Sequence, residues 1–141
     1  MAIKALDLAE QIKFVSKLDK GDDPTIWHLG VLDTRIRKQI EDIALEYEFD
    51  PSAPGSAKAK SSFNIGKSEL EFVMYGLKGF DNFLKPSGKS VYFKTETKVV
   101  GNKTYHIVAD EILGIIPGDI IRELAAEIKR INSVGEEERK N

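Results

Sequence analysis

Cysteine is absent from this chain, which excludes a disulfide framework and any thiolate metal site and fits a reducing compartment. Histidine occurs twice and tryptophan once. His28 and His106 each fall in an expected strand with no His, Cys or carboxylate at ligand spacing, so the sequence offers no metal site. Charge of one sign is lacking too. Lys and Arg total 21 against 23 Asp and Glu, a net charge of -2. That balance provides no global field for nucleic acid or an anionic membrane. No apolar run approaches the ~20 residues of a membrane span. The start, Met1-Ala2-Ile3-Lys4, carries no signal-like run, and the expected setting is a cell interior. Asn102-Lys103-Thr104 spells a glycosylation sequon, set aside for want of an export signal.

Hydrophobic residues make up 41% of 141 residues. A chain of that length can bury roughly 68% of its unfolded surface. We expect a single domain over 1–135, with a mobile loop at 50–62 and a polar charged tail at 136–141. The loop, DPSAPGSAKAKSS, has no large apolar group to offset its ordering entropy.

Two hairpins are legible. Gln11 to Leu18 alternates, with Ile12, Phe14 and Leu18 on one side, and Thr25 to Leu32 carries Trp27, Leu29 and Val31 on one face. The turn cluster Asp19-Lys20-Gly21-Asp22-Asp23-Pro24 joins them. Val91 to Val100 and Lys103 to Val108 flank Gly101-Asn102, a two-residue loop suited to a primed turn. That register sets Val99 opposite Thr104, Lys98 opposite Tyr105, and Thr97 opposite His106.

Three main helices are expected. Asp33 is a candidate N-cap for Thr34 to Glu48, whose Ile36, Ile40, Ile43 and Tyr47 recur at helical spacing. Ser68 and Glu71 read as a capping box opening a second helix through Leu70, Val73, Met74 and Leu77, which Gly79 ends. Asp110 would cap a short helix reaching Ile115. Pro117 then suits the first turn of a third main helix, with Ile120, Leu124, Ile128 and Ile131 as its stripe, widened by Ile121 and Ala125. The fold class is α+β: a small, mostly antiparallel sheet of about four strands in two hairpins, packed with three main helices.

Catalytic motifs fail on inspection. Gly66-Lys67-Ser68 and Gly88-Lys89-Ser90 suggest phosphate loops, but Ser61 and Phe83 stand where the motif needs glycine. Asp22 and Asp23 beside Gly21 and Pro24 suit a turn. No catalytic, cofactor or metal residue is assigned. A small hydrolase-type enzyme would need acids such as Asp22, Asp23, Asp110 and Glu111 to converge on folding. A nucleic-acid module would rely on Lys58, Lys60, Lys67 and Lys89. The aromatics point elsewhere. Phe80-Asp81-Asn82-Phe83 is read as a turn that displays its two phenylalanines, and Trp27 is either a core anchor or an interface residue. Trp27, Phe80, Asn82, Phe83 and Tyr92 are the candidate partner contacts.

Asp23-Pro24-Thr25, leading into Leu29 to Leu32, resembles the opening of small morphogenesis and structural proteins of tailed bacteriophages. Tyr75-Gly76-Leu77-Lys78-Gly79-Phe80-Asp81-Asn82-Phe83 is similar to their glycine-leucine, glycine-aromatic, asparagine-phenylalanine signature, with Phe80 where tryptophan is the family's residue. Glu123-Leu124-Ala125, Glu127-Ile128, Asn132 and the closing Glu136-Glu137-Glu138 with Asn141 look like their usual ending. The resemblance spans most of residues 23 to 141. It implies a non-enzymatic, tail assembly chaperone-like part in building the particle, or a virion-resident head decoration or neck component. Its implied partners are tail-tube, tape-measure, capsid or neck subunits and a second copy of the chain, met in the host cytoplasm during assembly or in the virion.

Overall fold

In the computed structural model, which describes residues 2–45 and 66–140, two antiparallel sheets pack with four helices. The expected α+β class holds. The first hairpin pairs β1 (Gln11–Val15) with β2 (Ile26–Gly30), setting Phe14 opposite Trp27. Alternation along β2 buries Trp27 and Leu29 on the core face, while His28 is half-buried on the other. Leu18 lies beyond β1 and is exposed, so it does not join the face expected for it.

Helix α1 (Thr34–Leu45) begins as its sequence predicts. The Asp33 side chain accepts the Arg35 amide at 2.8 Å, satisfying one of the orphan donors of the first turn. Ile36 and Ile40 are fully buried. Tyr47 and Glu48, and the loop at 50–62, lie outside the described residues.

The second helix, α2, covers described residues 66–76, and here the sequence reading needs correction. Ser68 is not at a helix start, since helix already runs from residue 66, and its side chain is buried. A serine inside a helix can bond back to the preceding turn, so the hydroxyl alone does not mark a terminus. Nor does Gly79 end the helix. The helix stops at Gly76, and Leu77–Asp81 forms β3, antiparallel to β2. Phe80 therefore lies in a strand, not on a turn. The register runs Trp27 to Phe80, His28 to Gly79, then Leu29 to Leu77, leaving Lys78 as the extra residue of a bulge. The bulge puts Leu77 and Phe80, three apart, on one core face. That spacing imitates a helix.

The second sheet is the hairpin β4 (Thr95–Val100) and β5 (Lys103–Val108) in the expected register, turning on Gly101 at φ +62. The described residues thus form five strands in two sheets, where the sequence suggested about four. Asp110 is the first residue of the short helix α3 (Asp110–Leu113) and not its cap; Ala109 precedes it with no side-chain cap bond. Pro117 lies just before α4 (Gly118–Lys140), and its carbonyl accepts the Ile121 amide at 3.0 Å. Helix α4 runs through Lys140, across residues that the sequence reads as a frayed polar tail. Its Ile121, Leu124, Ala125 and Ile128 are buried, with Ile120 and Ile131 at the margins.

One core joins these elements. Leu29, Ile36, Ile40, Val73, Val108, Leu124 and Ile128 are its most completely buried large side chains, drawn from β2, α1, α2, β5 and α4. At Gly76 α2 lies tight against α4: a Cβ there would stand 2.7 Å from Ile128 Cγ2. Asn132 ties the far part of α4 to the loop between β2 and α1. Its Oδ1 accepts the Leu32 amide at 2.9 Å, and its carbonyl accepts Arg37 at 3.1 Å.

Candidate functional site

Among the described residues, two concave features carry the functional argument, an apolar groove and a cavity that holds charged groups. The first is built on the aromatic corner. Trp27 on β2 faces Phe80 on β3, and Phe83 follows two residues after β3. Trp27 to Phe83 and Phe80 to Phe83 are both 5.1 Å between centroids, and Phe93 adds an edge contact to Phe80 at 5.3 Å. Edge-to-face packing of this kind adds to simple burial. Trp27 is 3% exposed and so supports the surface from beneath instead of forming it. Phe80 and Phe83 are half-buried.

Asn82 has a structural task at this corner. It is the only described non-glycine residue at positive φ, +61, a conformation that asparagine tolerates better than most. Its side chain donates to the Asp23 carbonyl at 2.7 Å, and its own carbonyl accepts the Thr25 hydroxyl at 2.9 Å. Both bonds fasten the end of β3 to the start of β2.

Beyond Phe83 the chain doubles back. The Val91 amide bonds the Phe83 carbonyl, Lys85 pairs with Lys89, and Gly88 at φ +88 makes the reversal. Between this loop and the α3–α4 junction lies a groove of about 700 Å³, lined by Phe83, Leu84, Pro86, Val91, Ile115 and Pro117 among others. Leu84 is 47% exposed and Ile115 51%, and Tyr92, next to Val91, is 78% exposed. Apolar side chains held open in one concavity are the usual signature of a surface for another macromolecule. Of the five contact candidates, Phe83 lines this groove and Tyr92 flanks its wall in sequence.

The polar feature is a cavity of about 230 Å³ at the start of α1, between the α2–β3 junction and β5. Sequence reasoning missed it, because its groups come from distant segments. Lys78, the bulge residue, lays its stem over Gly30, where a Cβ would meet its Cγ and Cε at 2.7 Å. Its Nζ donates to the Tyr75 carbonyl at 2.8 Å in the last turn of α2. Burial holds the Lys78 ammonium below the ordinary lysine range. Lys103 is paired with Asp33 at 3.1 Å. Desolvation pushes the Asp33 carboxyl up, but hydrogen bonds from Lys103 and the Arg35 amide outweigh it, leaving a net downward shift. The Tyr75 ring meets Tyr105 edge-on at 6.0 Å, and the buried Tyr75 hydroxyl has no partner among the described residues.

The remaining sequence candidates stay apart. Asp22, Asp23, Asp110 and Glu111 are all exposed, and none lines the groove or the cavity. Glu111 instead pairs with Lys94 at 3.1 Å. Lys67 and Lys89 are exposed, while Lys58 and Lys60 lie outside the described residues. His28 pairs with Asp81 at 2.8 Å across β2 and β3. His106 borders the cavity. Among the described residues, no group of three or more His, Cys, Asp or Glu could hold a metal ion, and no helix is long and apolar enough to cross a membrane. The chain matches no protein-family model, no curated protein and no solved structure.

Proposed function

We propose that the protein works through protein–protein contacts as a non-enzymatic assembly or structural component of a tailed-phage particle, chaperone-like in tail assembly. The observation that carries the contact reading is the apolar groove. Leu84 and Ile115 are about half open to water on either side of Phe83, Val91 and Pro117. The core below is already complete with Trp27, so these side chains are not needed to cover it. The phage setting rests on the signature Tyr75 to Phe83, of which Phe83 lines the groove and packs against Phe80. Residence in the virion, as a head decoration or neck component, is the other placement within this reading.

Light scattering after size exclusion tests it, with the chain alone and mixed with tail-tube, tape-measure and capsid proteins. The expected result is a complex with one of them, or a homo-oligomer, that L84E together with I115E dissolves while the circular dichroism spectrum is kept. A strict monomer with every candidate partner overturns the reading.

A further inference from the structure

We propose that the cavity at the start of α1 is a binding site for a carboxylate carried on a small apolar body. It shares no lining residue with the groove and does not rest on the assembly reading.

Three observations converge on that ligand. The first is the placement of Lys78. A β-bulge re-aims the residue it adds, and such bulges concentrate beside functional sites. Here the added residue is a lysine whose stem is accommodated only because Gly30 has no Cβ to collide with it. One of its three N–H donors goes to the Tyr75 carbonyl, and among the described residues no carboxylate pairs with the ammonium. A half-buried cation held by one neutral acceptor gains more from an incoming anion than a hydrated surface lysine does.

The second is Tyr75. It is 4% exposed, lines the same cavity, and keeps a hydroxyl with no protein partner among the described residues. Buried hydroxyls are normally satisfied, so an unpartnered one on a residue that lines a cavity marks a missing acceptor at that wall.

The third is the rest of the wall. Leu8, Ile36 and Tyr105 supply apolar and aromatic surface, which suits an organic body better than a bare ion. The charge count selects the anion. Among the described lining residues Lys103 is neutralised by Asp33, which leaves Lys78 as the lysine without a carboxylate, enough for a monoanion. A dianionic phosphate would face Asp33 without a second free cation. At about 230 Å³ the space falls below the roughly 300 Å³ at which drug-sized pockets begin, so the ligand is small.

The test is an NMR amide-shift titration of the full chain with benzoate, benzyl alcohol and inorganic phosphate as probes. A peptide ending in a free phenylalanine carboxylate, compared with its amide, separates a chain terminus from a free small acid. Benzoate or the free-acid peptide is expected to give saturable shifts at Lys78, Thr104 and Tyr105, with benzyl alcohol, phosphate and the peptide amide flat. K78M keeps an unbranched stem over Gly30 and removes the charge. It should weaken binding at least about tenfold, as loss of a charge-assisted bond does. Y75F should weaken it by a smaller factor, and K85M on the outer loop should leave it unchanged. Flat titrations with every carboxylate, equal binding of benzyl alcohol, or undiminished binding by a folded K78M each overturn the proposal.

Discussion

Trp27 and Phe80 stand directly opposite one another in the β2–β3 register, their ring centroids 5.7 Å apart and their planes at 76°. Phe14 stands opposite Trp27 on the other side, so one aromatic row crosses all three strands of the sheet. The row closes the end of the core on which the groove is built.

Replacing Phe80 by alanine should therefore act on stability and on the environment of the only tryptophan together. The ring touches Trp27, Phe83 and Phe93, and its removal leaves a void that the sheet cannot readily close. A loss of about 3 kcal/mol is expected in urea unfolding. Native Trp27 emission should move to longer wavelength as water reaches the ring. An unchanged spectrum with unchanged stability would contradict the packing described here.

A different kind of closeness governs Gly76. The glycine needs no unusual φ; it is required because Ile128 is already there. G76A should destabilise by about 1 to 3 kcal/mol, the range for overpacking in a filled core. The partner variant I128V removes Cδ1, which would stand 2.8 Å from the added Cβ, and so relieves part of the contact. The double variant G76A with I128V is expected to lose less than the two single losses summed, since neighbours that share space are not additive. Chemical denaturation of the four proteins measures the cycle; simple additivity would show that the contact is not the cause.

Which parts of this structure could be read from the residues follows from how local each cause is. Asp33 announces α1 because an N-cap acts within three residues, and Gly101-Asn102 announces its hairpin because a two-residue turn fixes the register. The register expected for Val99, Lys98 and Thr97 is the one observed. Leu77 to Asp81 was illegible for the opposite reason. Its bulge at Lys78 breaks the strand period, while Leu77 continues the helical spacing of Val73 and Met74 and Gly79 mimics a helix stop. Only pairing with β2, some fifty residues earlier, decides the matter. The cavity is hidden in the same way: Asp33, Tyr75, Lys78 and Lys103 carry no common motif, and the fold alone brings them together. The groove was half visible, through Phe83 and Tyr92, while Leu84 and Ile115 gave no signal of their own.

Asp33 makes a pH prediction with a definite sign. Its carboxyl pKa is lowered in the folded chain, so the unfolded chain binds the proton more tightly. The resulting stability is present at neutral pH and is lost as pH falls through the folded-state value, below the ordinary carboxylate range. D33N keeps a good N-cap but cannot pair with Lys103, so its advantage-free profile should lie flatter across that acid window. D33A loses the cap as well and should fall about 1 kcal/mol further at every pH. Urea midpoints between neutral pH and pH ~2.5 check both, the lower limit lying below the usual aspartate pKa. A wild-type curve parallel to that of D33N would remove the Lys103 pairing as a source of stability.

Lys78 carries the opposite consequence on the alkaline side. Burial lowers its folded-state pKa, so between that value and the ordinary lysine range the unfolded chain holds more protons than the folded one. Wild-type stability relative to K78M should accordingly rise as pH increases from neutral toward the lysine range, because the folded state sheds a poorly solvated charge. At neutral pH the two effects of K78M oppose each other: it relieves the buried ammonium but frees the Tyr75 carbonyl at the end of α2. The pH dependence of the difference is thus the cleaner readout. Saturating benzoate should flatten it, since a bound carboxylate favours the charged lysine and raises its pKa again. Urea unfolding of both proteins from pH ~7 to ~10.5, with and without benzoate, gives the comparison across the window set by an unperturbed lysine. A wild-type advantage that stays constant or shrinks with rising pH would mean that the Lys78 ammonium is as well solvated in the fold as in the unfolded chain.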